Sequence, residues 1–259
     1  MILEYKGIDL HYTDQGKGIA VVLLHGFLEN KTMWNSLVTE LIKKHRAIAI
    51  DLLGHGTTGC LGYIHTMTDM ADAVHAVLSH LKLRRIVLIG HSMGGYVSLA
   101  YTEHYPDMVK GLCLANSTAI DDSKEKKLNR DRAIKAVKHN HKSFIRMSIA
   151  NLFSETTRAH FFNEIESLKE DAIKMPLQGI IAALEGMKIR PNRQILLKNT
   201  SFKKLLLIGK QDPVLEYNTL IEQTKGLDIE IIEFPDGHMS YIENMCDFNY
   251  NILHFIENI

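Results

Sequence analysis

The segment Ile86-Val87-Leu88-Ile89-Gly90-His91-Ser92-Met93-Gly94-Gly95 passes from an apolar, strand-like run directly into a helix-like one, Tyr96 to Tyr101. A serine flanked by glycines in a G-x-S-x-G pattern, set between a strand and a helix, narrows the possible folds sharply. Glycine allows a turn so tight that the serine backbone is strained and its hydroxyl is thrust out at the carboxyl end of the strand. Ser92 is therefore a candidate nucleophile. It needs a base, a carboxylate to orient that base, and donors for an oxyanion.

The rest of the chain supplies the sheet that such a turn requires. Short apolar runs occur at Ile19–Leu24, Ala47–Ile50, Ile86–Ile89, Gly111–Ala115, Leu205–Ile208 and Ile229–Phe234. Near-continuous apolar runs suit parallel strands covered on both faces. Ile2–Tyr5 and Ile8–Thr13, around Lys6-Gly7, read as an opening hairpin. Helical patterns lie between several strands: Thr32–Lys44, Met67–Leu81 and Tyr96–Tyr105. On the second of these, Met70, Val74, Val77 and Leu78 share one face. The alternation predicts an α/β fold with a doubly wound, mostly parallel sheet.

That alternation breaks between about residues 120 and 200. The stretch has no strand pattern and four helical ones, at Lys124–His139, Ser143–Phe153, Glu155–Glu170 and Met175–Met187. The expected organisation is a core over 1–119, a helical cap insertion over 120–200, and the remainder of the core over 201–259. The first cap helix carries Lys124, Lys126, Lys127, Arg130, Arg132, Lys135 and Lys138. Asp121, Asp122, Glu125 and Asp131 are interspersed and aromatic residues are absent, so it reads as a solvated face and not a nucleic-acid patch.

Composition excludes other classes. Among 259 residues, 30 Lys and Arg balance 30 Asp and Glu, which calls for neither nucleic acid nor an anionic membrane. No apolar run approaches the length of about 20 residues that spans a bilayer. Three scattered cysteines, Cys60, Cys113 and Cys246, do not form a disulfide framework. The first residues lack a signal-peptide pattern, and the expectation is a soluble, cytoplasmic protein. Asp69, Asp72 and His75 share a helical spacing but have no second ligand cluster, so no metal is expected.

The remaining catalytic candidates follow strand-like runs. Asp212, in Ile208-Gly209-Lys210-Gln211-Asp212-Pro213, follows one; a carboxylate there can orient a histidine, although Asp-Pro is also ordinary turn chemistry. His238, in Pro235-Asp236-Gly237-His238, follows the last strand and is one of 14 histidines. The chain order Ser, Asp, His, each after a strand, distinguishes it. In Leu24-His25-Gly26-Phe27-Leu28, Gly26 lets the backbone turn close to a substrate oxygen. The Phe27 and Met93 N–H groups then form a two-donor oxyanion site, with Met93 also at a helix amino terminus. His25 reads as a residue that holds this turn by hydrogen bonding. Leu28, Val214 and Met239 flank these positions and are pocket candidates. Met147 and Phe153, with Phe161 and Phe162, either line an acyl pocket or pack the cap.

Together, His25-Gly26-Phe27, Asp51-Leu52-Leu53-Gly54-His55-Gly56, Gly90-His91-Ser92-Met93-Gly94-Gly95, Gly209-Lys210-Gln211-Asp212 and Gly237-His238 resemble the α/β-hydrolase fold superfamily over nearly the whole chain. The resemblance implies about eight strands, a cap after the sixth, and a Ser92–His238–Asp212 triad. Within the superfamily the chain is similar to small, cap-bearing bacterial ester hydrolases, related to cofactor-free haloperoxidases and carbon–carbon hydrolases. It implies a small-molecule ester substrate and no cofactor. A serine at 92 argues against haloalkane dehalogenases and epoxide hydrolases, which carry an aspartate there. The chain departs from the family where Thr57-Thr58 replace the usual serine after Gly56, where an arginine is missing from that block, and where the oxyanion turn lacks a Gly-Pro continuation. Perhydrolysis, carbon–carbon cleavage, and a slow-turnover ligand receptor on the same fold remain alternatives.

Overall fold

A computed structural model describes all residues 1–259. The strands are β1 (Ile2–Tyr5), β2 (Ile8–Gly16), β3 (Ala20–Leu24), β4 (Arg46–Ile50), β5 (Ile86–His91), β6 (Val109–Ala115), β7 (Lys203–Gly209) and β8 (Glu230–Phe234). They form one sheet in the order β1-β2-β4-β3-β5-β6-β7-β8. β1 and β2 pair antiparallel with each other, and β2 pairs antiparallel with β4. The remaining pairings are parallel. Every residue of β3 and β5 is buried, as expected for strands covered on both faces.

Eleven α-helices accompany the sheet: α1 (Asn35–Leu41), α2 (Met67–His80), α3 (Met93–His104), α4 (Lys124–His139), α5 (His141–Ala150), α6 (Phe162–Ile173), α7 (Leu177–Lys188), α8 (Gln194–Asn199), α9 (Tyr217–Glu222), α10 (Ser240–Glu243) and α11 (Met245–Glu257). α2 begins with a reciprocal cap: the Thr66 hydroxyl accepts from Asp69 N–H, and the Asp69 carboxylate accepts from Thr66 N–H. Asp69 thus serves a helix end. Met70, Val74, Val77 and Leu78 are fully buried, and each contributes on the order of 1.5–3 kcal/mol. Trp34, 1% exposed, stacks on Phe248 of α11.

α4 to α8 lie between β6 and β7; the four helical patterns overlap α4 to α7, α8 falls outside them, and α7 seats this insertion on the core. His65 N–H donates to the Ala182 carbonyl at 3.0 Å. A Cβ at Gly186 would collide with the His65 carbonyl, so only glycine permits the approach. α1 covers only the middle of its predicted span 32–44, and α6 starts at Phe162, not near Glu155, with residues 155–161 in turns. The Ser154 hydroxyl bonds to those of Thr156 and Thr157, and Thr157 donates to Glu243. Such local side-chain bonding competes with helix formation. No helix is long and apolar enough to cross a membrane.

Candidate active site

Ser92 sits at φ 48° and ψ −113°, between β5 and α3. This left-handed region is costly for a residue with a side chain, on the order of 1–3 kcal/mol. The surroundings hold it there. Ser92 N–H donates to the Ala115 carbonyl at 2.9 Å. The Ser117 hydroxyl donates to the Ser92 carbonyl at 2.7 Å. The start of α3 presses so close to β3 that a Cβ at Gly94 would overlap the Leu24 carbonyl.

His238 Nε2 lies 2.8 Å from Ser92 Oγ, and its Nδ1 lies 2.7 Å from Asp212 Oδ2. An ionised carboxylate only accepts, so Nδ1 carries the proton and Nε2 is left to accept from the serine hydroxyl. Asp212 Oδ1 accepts from Val214 N–H at 2.8 Å and from Leu215 N–H at 2.9 Å. Burial alone would raise the Asp212 pKa, but His238 and these two N–H groups hold the carboxyl below its ordinary value. The predicted Ser92, His238 and Asp212 are thus brought into one hydrogen-bonded file.

The turn at Gly26, the candidate oxyanion site, is fixed from two sides. His25 Nδ1 donates to the Gly26 carbonyl at 2.7 Å, and its Nε2 accepts from Leu52 N–H at 2.9 Å. Burial lowers the His25 pKa, consistent with a neutral ring. The Gly26 N–H donates to Glu29 Oε2 at 2.6 Å. Neither Phe27 N–H nor Met93 N–H has an acceptor within the chain. Met93 opens α3, whose first amides have no intrahelical partners.

A cavity of about 90 Å³ opens at Ser92 and His238, lined also by Phe27, Leu28, Tyr96, Leu152 and Val214. Leu28 and Val214 therefore fall where expected. Three other pocket candidates do not. Met147 is 58% exposed, while Phe153 and Met239 are fully buried. In α5 the inward residues are Phe144, Ile145, Ser148 and Ile149. That helical spacing aims Met147 outward and puts Ser148 on the cavity. Phe153 packs against Phe161, their ring centroids 6.2 Å apart. Met239 lies in the continuous apolar core.

Sequence reasoning missed several contributors. Asn116, fully buried after β6, donates from Nδ2 to Asp212 Oδ2 at 3.3 Å and to the Gly237 carbonyl at 3.2 Å. Glu29, three residues beyond Gly26, is a second, joining the Gly26 N–H to His91. Arg130 lines the cavity, so the basic cap helix is not wholly a solvated face. The helical period alone could have separated Arg130 from its neighbours: Ile134 and Val137, four and seven residues on, are buried. No group of three or more His, Cys, Asp or Glu side chains is placed to hold a metal ion.

Residues 19–245 match the family described as the alpha/beta hydrolase fold. The chain belongs to this α/β-hydrolase fold family. A thermophilic esterase from Thermogutta terrifontis, solved with malate bound, superposes with a TM-score of 0.90 at 32% identity, covering 99% of this chain and 96% of that one. A putative 2-succinyl-6-hydroxy-2,4-cyclohexadiene-1-carboxylate synthase from Bacillus subtilis is 35% identical over 116 residues, 43% of this chain and 42% of that protein. A non-heme haloperoxidase from Rhodococcus erythropolis is 37% identical over 90 residues, 34% of this chain and 33% of that protein. The chain spans 31% to 42% of the length of curated relatives such as these. The esterase is matched over nearly the full length of both chains.

Proposed function

We propose that the protein hydrolyses small carboxylic esters through an acyl-enzyme on Ser92. The observation that carries this reading is the position of His238, within hydrogen-bond reach of Ser92 Oγ on one side and Asp212 on the other. Ser92 Oγ attacks the acyl carbonyl while His238 Nε2 takes its proton. Asp212 keeps the ring in the correct tautomer and stabilises the imidazolium that forms. The N–H groups of Phe27 and Met93 hold the tetrahedral oxyanion, and loss of one such donor costs about 3–4 kcal/mol. His238 returns the proton to the leaving alkoxide. Water, deprotonated by His238, then releases the acid.

The small cavity supports a short acyl group. Pockets for drug-sized ligands run to roughly 300–1,000 Å³. The Thermogutta terrifontis esterase supports ester chemistry across the full fold. The match to a haloperoxidase supports a second reading, formation and release of a peracid with peroxide in place of water.

A fluorescent fluorophosphonate probe tests the proposal. Labelling of the wild type but not of Ser92→Ala, with turnover of short-chain p-nitrophenyl esters, is expected. Equal labelling of a folded Ser92→Ala protein would overturn it. Peroxide-dependent halide oxidation in acetate buffer, faster than ester hydrolysis, would favour the second reading.

A further inference from the structure

α4 delivers Arg130 to the cavity that opens at Ser92. Its guanidinium faces Asp122: Nε donates to Oδ2, and Nη2 lies 3.4 Å from Oδ1. A second guanidinium, Arg190, reaches the same carboxylate at 2.7 Å. Asp122 is 1% exposed and Arg190 4% exposed at their side chains. Two cations, one buried and one 19% exposed, therefore share one buried anion, which leaves this cluster with one positive charge in excess. An uncompensated charge in such a place is expensive, and an anion that fills it is correspondingly favoured.

The donor inventory points the same way. A guanidinium has five N–H donors. Arg130 places two on Asp122 and one on the Met187 sulfur at 3.4 Å, a weak acceptor. The others have no acceptor in the chain. Arg190 is engaged with the Met187 and Ile120 carbonyls and stacks 4.0 Å over the Tyr96 ring, so it backs the site without entering it. The carboxylate that lines the cavity, Glu29, is already paired with His91. The adjoining outer cavity of about 470 Å³ is of mixed charge, with Asp121, Asp212 and Glu216 beside Lys126 and Arg190. The positive bias is thus confined to the inner cavity.

We infer that Arg130 is a specificity residue that binds a carboxylate on the substrate, so that the preferred esters are half-esters of short dicarboxylic acids. This rests on the hydrolase reading of Ser92 for the reaction, but the binding itself does not need turnover.

The test is calorimetric titration of Ser92→Ala with monomethyl succinate and with methyl pentanoate, its uncharged near-isostere. The half-ester is expected to bind at least about tenfold more tightly, the scale of one charge-assisted hydrogen bond. Adding Arg130→Gln is expected to erase that preference. Met187→Glu, which sets a carboxylate beside the guanidinium without removing it, is expected to erase it too and serves if Arg130→Gln does not fold. Equal affinity for the two esters, or a preference that survives both substitutions, would overturn the inference. Fluorophosphonate labelling of the wild type is read separately. Its absence, with the binding preference intact, would overturn the hydrolase reading and leave the carboxylate site supported.

Discussion

Glu29 Oε2 lies 2.9 Å from Nδ1 of His91, the residue before Ser92, with both side chains 1% exposed. The other ring nitrogen of His91 faces the His238 carbonyl at 3.0 Å. Both nitrogens meet acceptors, so the ring is a double donor, an imidazolium paired with a carboxylate. Burial would lower the His91 pKa, but the Glu29 charge raises it above its ordinary 6.5. Burial would raise the Glu29 pKa, but His91 brings it below the ordinary value. The pair links two parts of the site. Glu29 holds the Gly26 N–H of the candidate oxyanion turn at 2.6 Å, and His91 holds the backbone of the candidate base.

Glu29→Gln should therefore destabilise the fold by about 2–3 kcal/mol near pH 6, within the range for breaking buried charged hydrogen bonds. The raised pKa of His91 sets the pH dependence. Its contribution is fully present below 6.5 and is lost as pH rises through the higher folded value. Urea unfolding over a pH series should show the gap between wild type and variant narrowing as the solution becomes alkaline. A gap that stays constant would mean His91 is not charged.

Ser92→Ala and Ser92→Gly should both lose ester turnover, but they should differ in stability. Alanine keeps the penalty of the left-handed backbone at φ 48°. Glycine relieves it, so the glycine variant should be more stable than the alanine variant by about 1 kcal/mol. Thermal unfolding of the two purified proteins checks this, and a glycine variant no more stable than alanine would show the elbow to be unstrained.

Asp212→Asn should fold normally and lower kcat by about four orders of magnitude, with KM little changed. An amide can donate to His238 Nδ1 and stabilise the tautomer that turns an N–H toward Ser92. Steady-state kinetics on a short-chain ester decides it. A loss of less than tenfold would remove Asp212 from the catalytic file.

The register of α5 gives a paired test. Met147→Ser should change stability by no more than about 0.5 kcal/mol and leave kinetics alone, as an exposed substitution does. Ser148→Leu, one residue on, projects into the cavity of about 90 Å³. It should raise KM about tenfold or more. Equal effects would place the cavity elsewhere.

Much of the fold was legible because its signals are local. Apolar runs bounded by glycines and helical stripes mark the sheet and its helices, and the elbow glycines mark Ser92. α6 was misplaced because a tertiary contact, from Thr157 to Glu243, competes with helix formation over residues 155–161. Apolar character leaves Met147 and Phe153 open between the pocket and the cap's packing, and a place beside His238 points Met239 to the pocket, but neither signal says against what a residue is buried.

By itself the sequence determined the strand-to-helix turn at Ser92, the order of serine, aspartate and histidine, and the family, since each rests on a few neighbouring residues with fixed conformational demands. Only the tertiary structure decided which charges meet. Glu29 and His91, Asp122 with Arg130 and Arg190, and Asn116 with Asp212 join distant parts of the chain. Charge and hydrogen bonding act through space over a few ångströms. Which side chains come that close is set by strand order for Glu29, His91, Asn116 and Asp212 and by helix packing within the insertion for Asp122, Arg130 and Arg190, and no local pattern encodes it.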